Sequence, residues 1–236
     1  MRYTRQELKQ DKFAETAAEA AHWTIAHRKT IISGAVALAV LLAVGLGIFW
    51  YNDHRQAAAA QKLGDALLTY NAPVMASASS QGSQTVSFTS VADRALAAKK
   101  QFYAISSEYG SVRAGQWAHY FAALCEVDLG NYAVADGQLK DIAQSRDMEV
   151  SSVAKLSLAS VYHSEKKDSD AVAIYKELID HPTLSVPKTT AQLALADLYQ
   201  ATQPAEASKL YEQIAKDDAK GPAGQIAAQH QKATAQ

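Results

Sequence analysis

Apolar and polar positions divide the chain into one unbroken apolar run and a long series of amphipathic segments. The run is Ile31 to Tyr51, 21 residues without a charge, bounded by Arg28 and Lys29 on one side and by Asp53, His54 and Arg55 on the other. At about 1.5 Å per residue, a helix of that length covers the roughly 30 Å hydrocarbon core of a bilayer. Phe49, Trp50 and Tyr51 stand where an interfacial aromatic belt belongs. The pattern predicts a membrane helix over residues 30–51, with Ala35, Ala39, Ala43 and Gly47 four apart on one face, a spacing at which two membrane helices approach closely.

On the N-terminal side, Thr4-Arg5-Gln6-Glu7 has the form of a capping box, and a narrow, mostly alanine stripe follows without Gly or Pro as far as His27. Residues 1–29 are therefore expected to be a solvated helical tail. Beyond the membrane run, Ala57 to Tyr70 continues as a helix with Ala60, Leu63 and Leu67 on one side, until Asn71-Ala72-Pro73 ends it. Met75 to Phe88 is rich in Ser, Gln and Gly and reads as a loop closing a segment 52–88, after which Ser90 with Asp93 restarts the helical pattern.

From there to the end, residues 89–236, the chain repeats itself. Ala98/Phe102/Ile105, Ala135/Leu139/Ile142, Ala171/Tyr175/Leu178 and Ala207/Tyr211/Ile214 recur at offsets of 37, 36 and 36 residues. Steps of four and three put each trio on one helical face. A further helix precedes each of the last three, carrying Ala123, Ala159 and Ala196 at matching places, with short links at Gly130-Asn131, Lys166 to Asp168 and Thr202-Gln203-Pro204. Paired helices at this period predict an all-α helical solenoid, and Pro222 to about Lys232, with Ile226, is expected to cap it.

Charge sets the expected orientation. The first 29 residues hold six basic and four acidic residues of the chain's 23 and 24, whereas only Arg55 and Lys62 fall in the 20 residues after Tyr51. The positive-inside rule then places the N-terminus in the cytoplasm and the repeats outside it. A cleaved signal peptide fits less well, because its apolar region is about 7–15 residues and no 29-residue polar tail precedes it. The near-neutral balance gives no reason to expect nucleic-acid binding. The lone Cys125 allows no internal disulfide, and it is expected to lie buried in a helix.

Candidate chemistry adds little. His22, His27, His54, His119, His163, His181 and His230 are scattered without metal-ligand spacing, and neither a phosphate-cradling loop nor a nucleophile elbow is present. Asp168 and Asp170 read as helix-start carboxylates. No catalytic residue, metal, cofactor or small-molecule substrate is expected, and the chain reads as a binding protein.

The repeats resemble the tetratricopeptide repeat family. Leu129-Gly130-Asn131-Tyr132 with Ala135 is similar to that family's inter-helix turn, and Leu158-Ala159 with Tyr162 and Leu195-Ala196 with Tyr199 to its first-helix motif; His119, Lys155 and Gln192 replace its usual tryptophan. The resemblance implies a concave wall built from the first helix of each pair: Trp117, Tyr120, Leu124 and Val127, then Leu156, Ser160 and His163, then Leu193, Asp197 and Gln200. Such a wall suits apolar or extended protein segments, although Trp117, Tyr120 and Leu124 read more readily as packing between repeats, since helically spaced aromatics are most often core. It lacks the Lys and Asn clusters with which co-chaperones of the family hold a terminal carboxylate.

Tail, single membrane helix, alanine-rich proximal helix and helical repeats together resemble the ancillary SecYEG translocon subunit family, the YfgM-like proteins. That resemblance implies a bacterial inner-membrane protein associated with SecYEG channel subunits and a periplasmic chaperone. A membrane-anchored scaffold for outer-membrane assembly or cell division is the alternative.

Overall fold

The computed structural model describes residues 27–75 and 87–234. The expected tail helix up to residue 26, and residues 76–86 of the expected loop, lie outside the described residues. The chain divides into a unit of residues 1–54 and a unit of residues 55–236.

Helix α1 runs Arg28–Tyr70, 43 residues, and its first part carries the apolar run. None of its most apolar 18-residue window is buried, and Ile32, Leu41, Leu46, Phe49 and Trp50 are all exposed. A helix apolar all round has no water-facing side, so this one is long and apolar enough to cross a membrane. The small residues Ala35, Ala39, Ala43 and Gly47 are exposed along one face of it.

From Arg55 onward α1 belongs to the repeats, followed by α2 Val91–Tyr109, α3 Arg113–Asp128, α4 Tyr132–Ala143, α5 Met148–Ser164, α6 Asp168–Asp180, α7 Lys188–Thr202, α8 Pro204–Asp217 and α9 Pro222–Thr234. Local chemistry explains several starts. The Ser90 hydroxyl accepts from the Asp93 amide, the Asp147 carboxylate accepts from the Glu149 and Val150 amides, and Pro204 occupies a first-turn position where no donor is needed. A parallel bridge between Val74 and Phe88 joins the two ends of the segment separating α1 from α2.

From α2 onward consecutive helices pack on one another, α3 also packs on α5 and α7 on α9, and the end of α1 shares a buried cluster with α2 and α3. All twelve residues of the four repeat trios are buried, as are Ala123, Ala159, Ala196 and Cys125. The core is a row of clusters rather than one mass. Ala98, Phe102 and Ile105 centre the first, Leu139 the second, Tyr175 the third and Tyr211 with Ile214 the fourth, each spanning a helix pair and the next first helix. Such an arrangement makes stability a sum of neighbouring interfaces.

Three expectations are refined. The first trio also has a partner helix, namely residues 55–70 of α1, but 20 residues separate the two helices where the other pairs have one or three. The face that α1 buries is Ala59, Leu63, Ala66 and Tyr70, while Ala60 is exposed, because packing follows the i, i+4, i+7, i+11 line. In α9 Ala227 is the buried residue, and Ile226, 44% exposed, faces away. Close approach rather than burial explains Gly115, since a Cβ there would lie 1.9 Å from the Tyr109 carbonyl oxygen.

The links after α3 and α5 close identically. Asn131 N–H reaches Glu126 O (2.9 Å) and Gly130 N–H reaches Val127 O (2.9 Å), while Lys167 N–H reaches Tyr162 O (2.8 Å) and Lys166 N–H reaches His163 O (3.0 Å). This Schellman closure needs a left-handed residue, and φ is +75° at Gly130 but +64° at Lys166, where a Cβ is strained. Lys166→Gly is therefore expected to stabilise the fold by about 1 kcal/mol, read as a raised denaturation midpoint; a lowered midpoint would contradict the strain.

Candidate functional site

The first-helix residues expected to form a wall do not share one environment. Trp117, Tyr120 and Val127 of α3 are half-buried against the second cluster, Leu156 of α5 against the third and Leu193 of α7 against the fourth. The Tyr120 hydroxyl is 3.0 Å from Ser157 Oγ, tying α3 to α5, and Trp117 meets Tyr120 edge to face with ring centroids 5.8 Å apart. Burial pushes the Tyr120 hydroxyl pKa up, with the Ser157 bond working the other way, so the phenol stays neutral. Leu124 is half-buried outside the clusters.

Three of the four polar members, Ser160, His163 and Asp197, meet the second helix of their own pair. Ser160 Oγ lies 3.4 Å from Tyr175 Oη, His163 Nδ1 lies 2.7 Å from Asp168 Oδ1, and Asp197 accepts from the Tyr211 hydroxyl at 2.5 Å. Ser160, Asp197 and Gln200 remain exposed. The first helices thus offer apolar edges already engaged in packing, beside a polar exposed strip.

A buried acid fastens the first two pairs together. Glu126 on α3 accepts from Asn131 Nδ2 at 2.7 Å and from the Tyr103 hydroxyl at 3.1 Å, and Lys99 Nζ lies 3.3 Å away. Gln138 in turn donates to the Tyr103 oxygen. Burial works to raise the Glu126 pKa, but the bonds from Asn131, Tyr103 and Lys99 outweigh it and hold the carboxyl below its ordinary range. Nearby Cys125 is chemically quiet: burial first, then the charges of Asp128 and Glu126, push its thiol up to about 12.

Sequence reasoning missed a crevice of about 400 Å³ lined by Tyr103, Ser106, Gln116, His119, Asp141 and Ser145 together with Ile142, Val150 and others. One repeat later a crevice of about 90 Å³ is lined by residues that include Ser152, Lys155, Glu177 and His181. Gln116, His119, Asp141 and Ser145 correspond to these four at a constant offset of 36. The signal was present in the repeat spacing, once extended from apolar positions to their polar neighbours. Among the described residues no group of His, Cys, Asp and Glu could hold a metal ion.

Neither a curated protein nor a solved structure matches the chain. One family model does, a tetratricopeptide repeat-like domain, over residues 21–181. That span includes the membrane-length helix as well as the repeats through α6, and domains of this kind generally mediate protein–protein interactions rather than catalysis. With more than half its length matched by that model, and with helix pairs stacked at its period, the chain belongs to the tetratricopeptide repeat-like domain family.

Proposed function

We propose that this chain is a membrane-tethered protein-binding module of the bacterial inner membrane, ancillary to the SecYEG translocon and to periplasmic chaperones that receive exported polypeptides. The observation that carries the reading is the combination, in one chain, of an apolar helix exposed on every side with repeats whose first helices keep Ser160, Asp197 and Gln200 exposed beside half-buried Trp117, Tyr120, Leu156 and Leu193. A tether holds a weak binding surface at high effective concentration near the membrane. The excess of basic residues before Ile31 supports a cytoplasmic N-terminus and periplasmic repeats. The similarity of the chain's architecture to the YfgM-like family supports the choice of the translocon. The face Ala35-Ala39-Ala43-Gly47 would lie against a membrane helix of that partner.

A photo-crosslinking residue at Gln200 or Ser160, in native membranes, is expected to capture channel subunits and a periplasmic chaperone, and the same probe at Lys209 on α8 to capture neither. Replacing Trp117 and Tyr120 by Ala should lower the yield at least fivefold, since aromatic anchors commonly carry more than about 1 kcal/mol of binding. Recovery of outer-membrane assembly or division proteins without the channel would replace the translocon by another envelope machine.

A further inference from the structure

The two equivalent crevices differ in one respect that identifies a ligand. In the second, Lys155 Nζ lies 2.6 Å from Glu177 Oε1, so the carboxylate is met by an ammonium supplied by the chain itself. In the first, the position of Lys155 is taken by His119 and that of Glu177 by Asp141, and no ion pair reaches Asp141 among the described residues. The space left is about 400 Å³ rather than about 90 Å³. In the third pair the same positions are Gln192 and Gln213, and no charge is present to be met. The internal cation of one repeat thus stands where the neighbouring repeat has open volume beside a carboxylate.

We propose that the crevice between α2, α3 and α4 binds the basic side chain, Arg or Lys, of a polypeptide held by the repeats, with Asp141 as its counter-ion. The remaining lining suits a cation inserted on a flexible stem. The hydroxyls of Ser106, Ser107 and Ser145 and the Gln116 amide oxygen are acceptors, whereas the Tyr103 hydroxyl is already engaged by Glu126 and Gln138, and no Lys or Arg lines the crevice to repel a cation. Ser145 Oγ donates to Gln116 Oε1 at 3.0 Å and accepts from the Asp147 N–H at 3.1 Å, so each of these two oxygens keeps one lone pair for an incoming donor. This assignment rests on the reading of the chain as a polypeptide binder, and it adds a charge preference to that reading.

Gly110 and Gly115 line the crevice while Gly130 and Gly137 do not, so glycine-selective 15N labelling of the full chain in nanodiscs gives a direct readout. Titration with acetyl-Gly-Ser-Arg-Ser-Gly-amide is expected to shift the Gly110 and Gly115 signals saturably, with a Kd on the order of 1 mM, and to leave Gly130 unmoved. The isosteric citrulline peptide should produce no saturable shift. Asp141→Asn should weaken the Arg peptide at least about tenfold, and His119→Lys, which supplies the cation internally as Lys155 does, should abolish binding; an unmoved Gly130 reports that either variant is folded. Equal binding of the citrulline peptide, indifference to both substitutions, or saturation by spermidine without response to the peptide would each overturn the proposal. Loss of the Gln200 crosslinks would remove the polypeptide-binding reading itself, whereas intact crosslinks with a silent crevice would remove only this site.

Discussion

Replacing Phe102 by Ala is expected to cost about 3–5 kcal/mol, the largest loss available from one side chain in the repeats. Phe102 is fully buried in α2, stacked on Phe121 of α3 with centroids 5.4 Å apart and edge-on to Tyr70 of α1 at 6.0 Å. Its removal leaves a void between three helices, bordered by the Phe121 and Tyr70 rings, which have few rotamers with which to collapse into it. The loss should also be local. Clusters along the series share only neighbouring helices, so hydrogen exchange followed by mass spectrometry should accelerate in the end of α1, α2 and α3 and change little in α7 to α9. Uniform acceleration, or a loss below about 1 kcal/mol, would show that the clusters act as one core.

Glu126→Ala is expected to cost about 3 kcal/mol, because it removes the common acceptor of Asn131, Tyr103 and Lys99 inside the protein. Glu126→Gln keeps the shape and some of the bonds, and should cost about half as much. The same carboxylate makes stability depend on pH with a determined sign. Its folded pKa lies below the ordinary 4.5, so the unfolded chain binds the proton more readily, and folding gains stability wherever pH exceeds that ordinary value. The contribution is complete above about pH 4.5 and is lost as pH falls through the depressed folded value. Thermal midpoints measured between neutral pH and about pH 3.5 should fall at the acid end in the native chain, and by less in the Gln variant. Identical acid profiles would show that Glu126 does not carry this component.

Much of the fold was legible because it is written in periods. The spacing of Ala, an aromatic or Leu, and Ile or Leu specifies which face of each second helix is buried, and all twelve such residues are buried. The turn at Gly130-Asn131 and the helix start at Pro204 were equally readable, since each depends on the conformational limits of one residue. The first pair was harder. Its 20-residue separation breaks the offset, so the pairing of Ala59 and Ala66 with Ala95 and Ala98 is visible only in space.

The candidate site divides in the same way. That Trp117, Tyr120, Leu156 and Leu193 lie along first helices follows from the family pattern, yet their half-burial against the next cluster depends on how closely successive pairs approach. By itself the sequence determined the membrane-length apolar run, the helix pairs and the phase of their buried faces, because each is a short-range property of spacing and residue type. Only the tertiary structure decided that Glu126 is held by three donors from neighbouring elements, and that Glu177 is met by Lys155 while Asp141, at the same place one repeat earlier, borders an open crevice. Period specifies direction, whereas distance and enclosed volume depend on side chains far apart in sequence, and the strength of charge and hydrogen bonding follows distance.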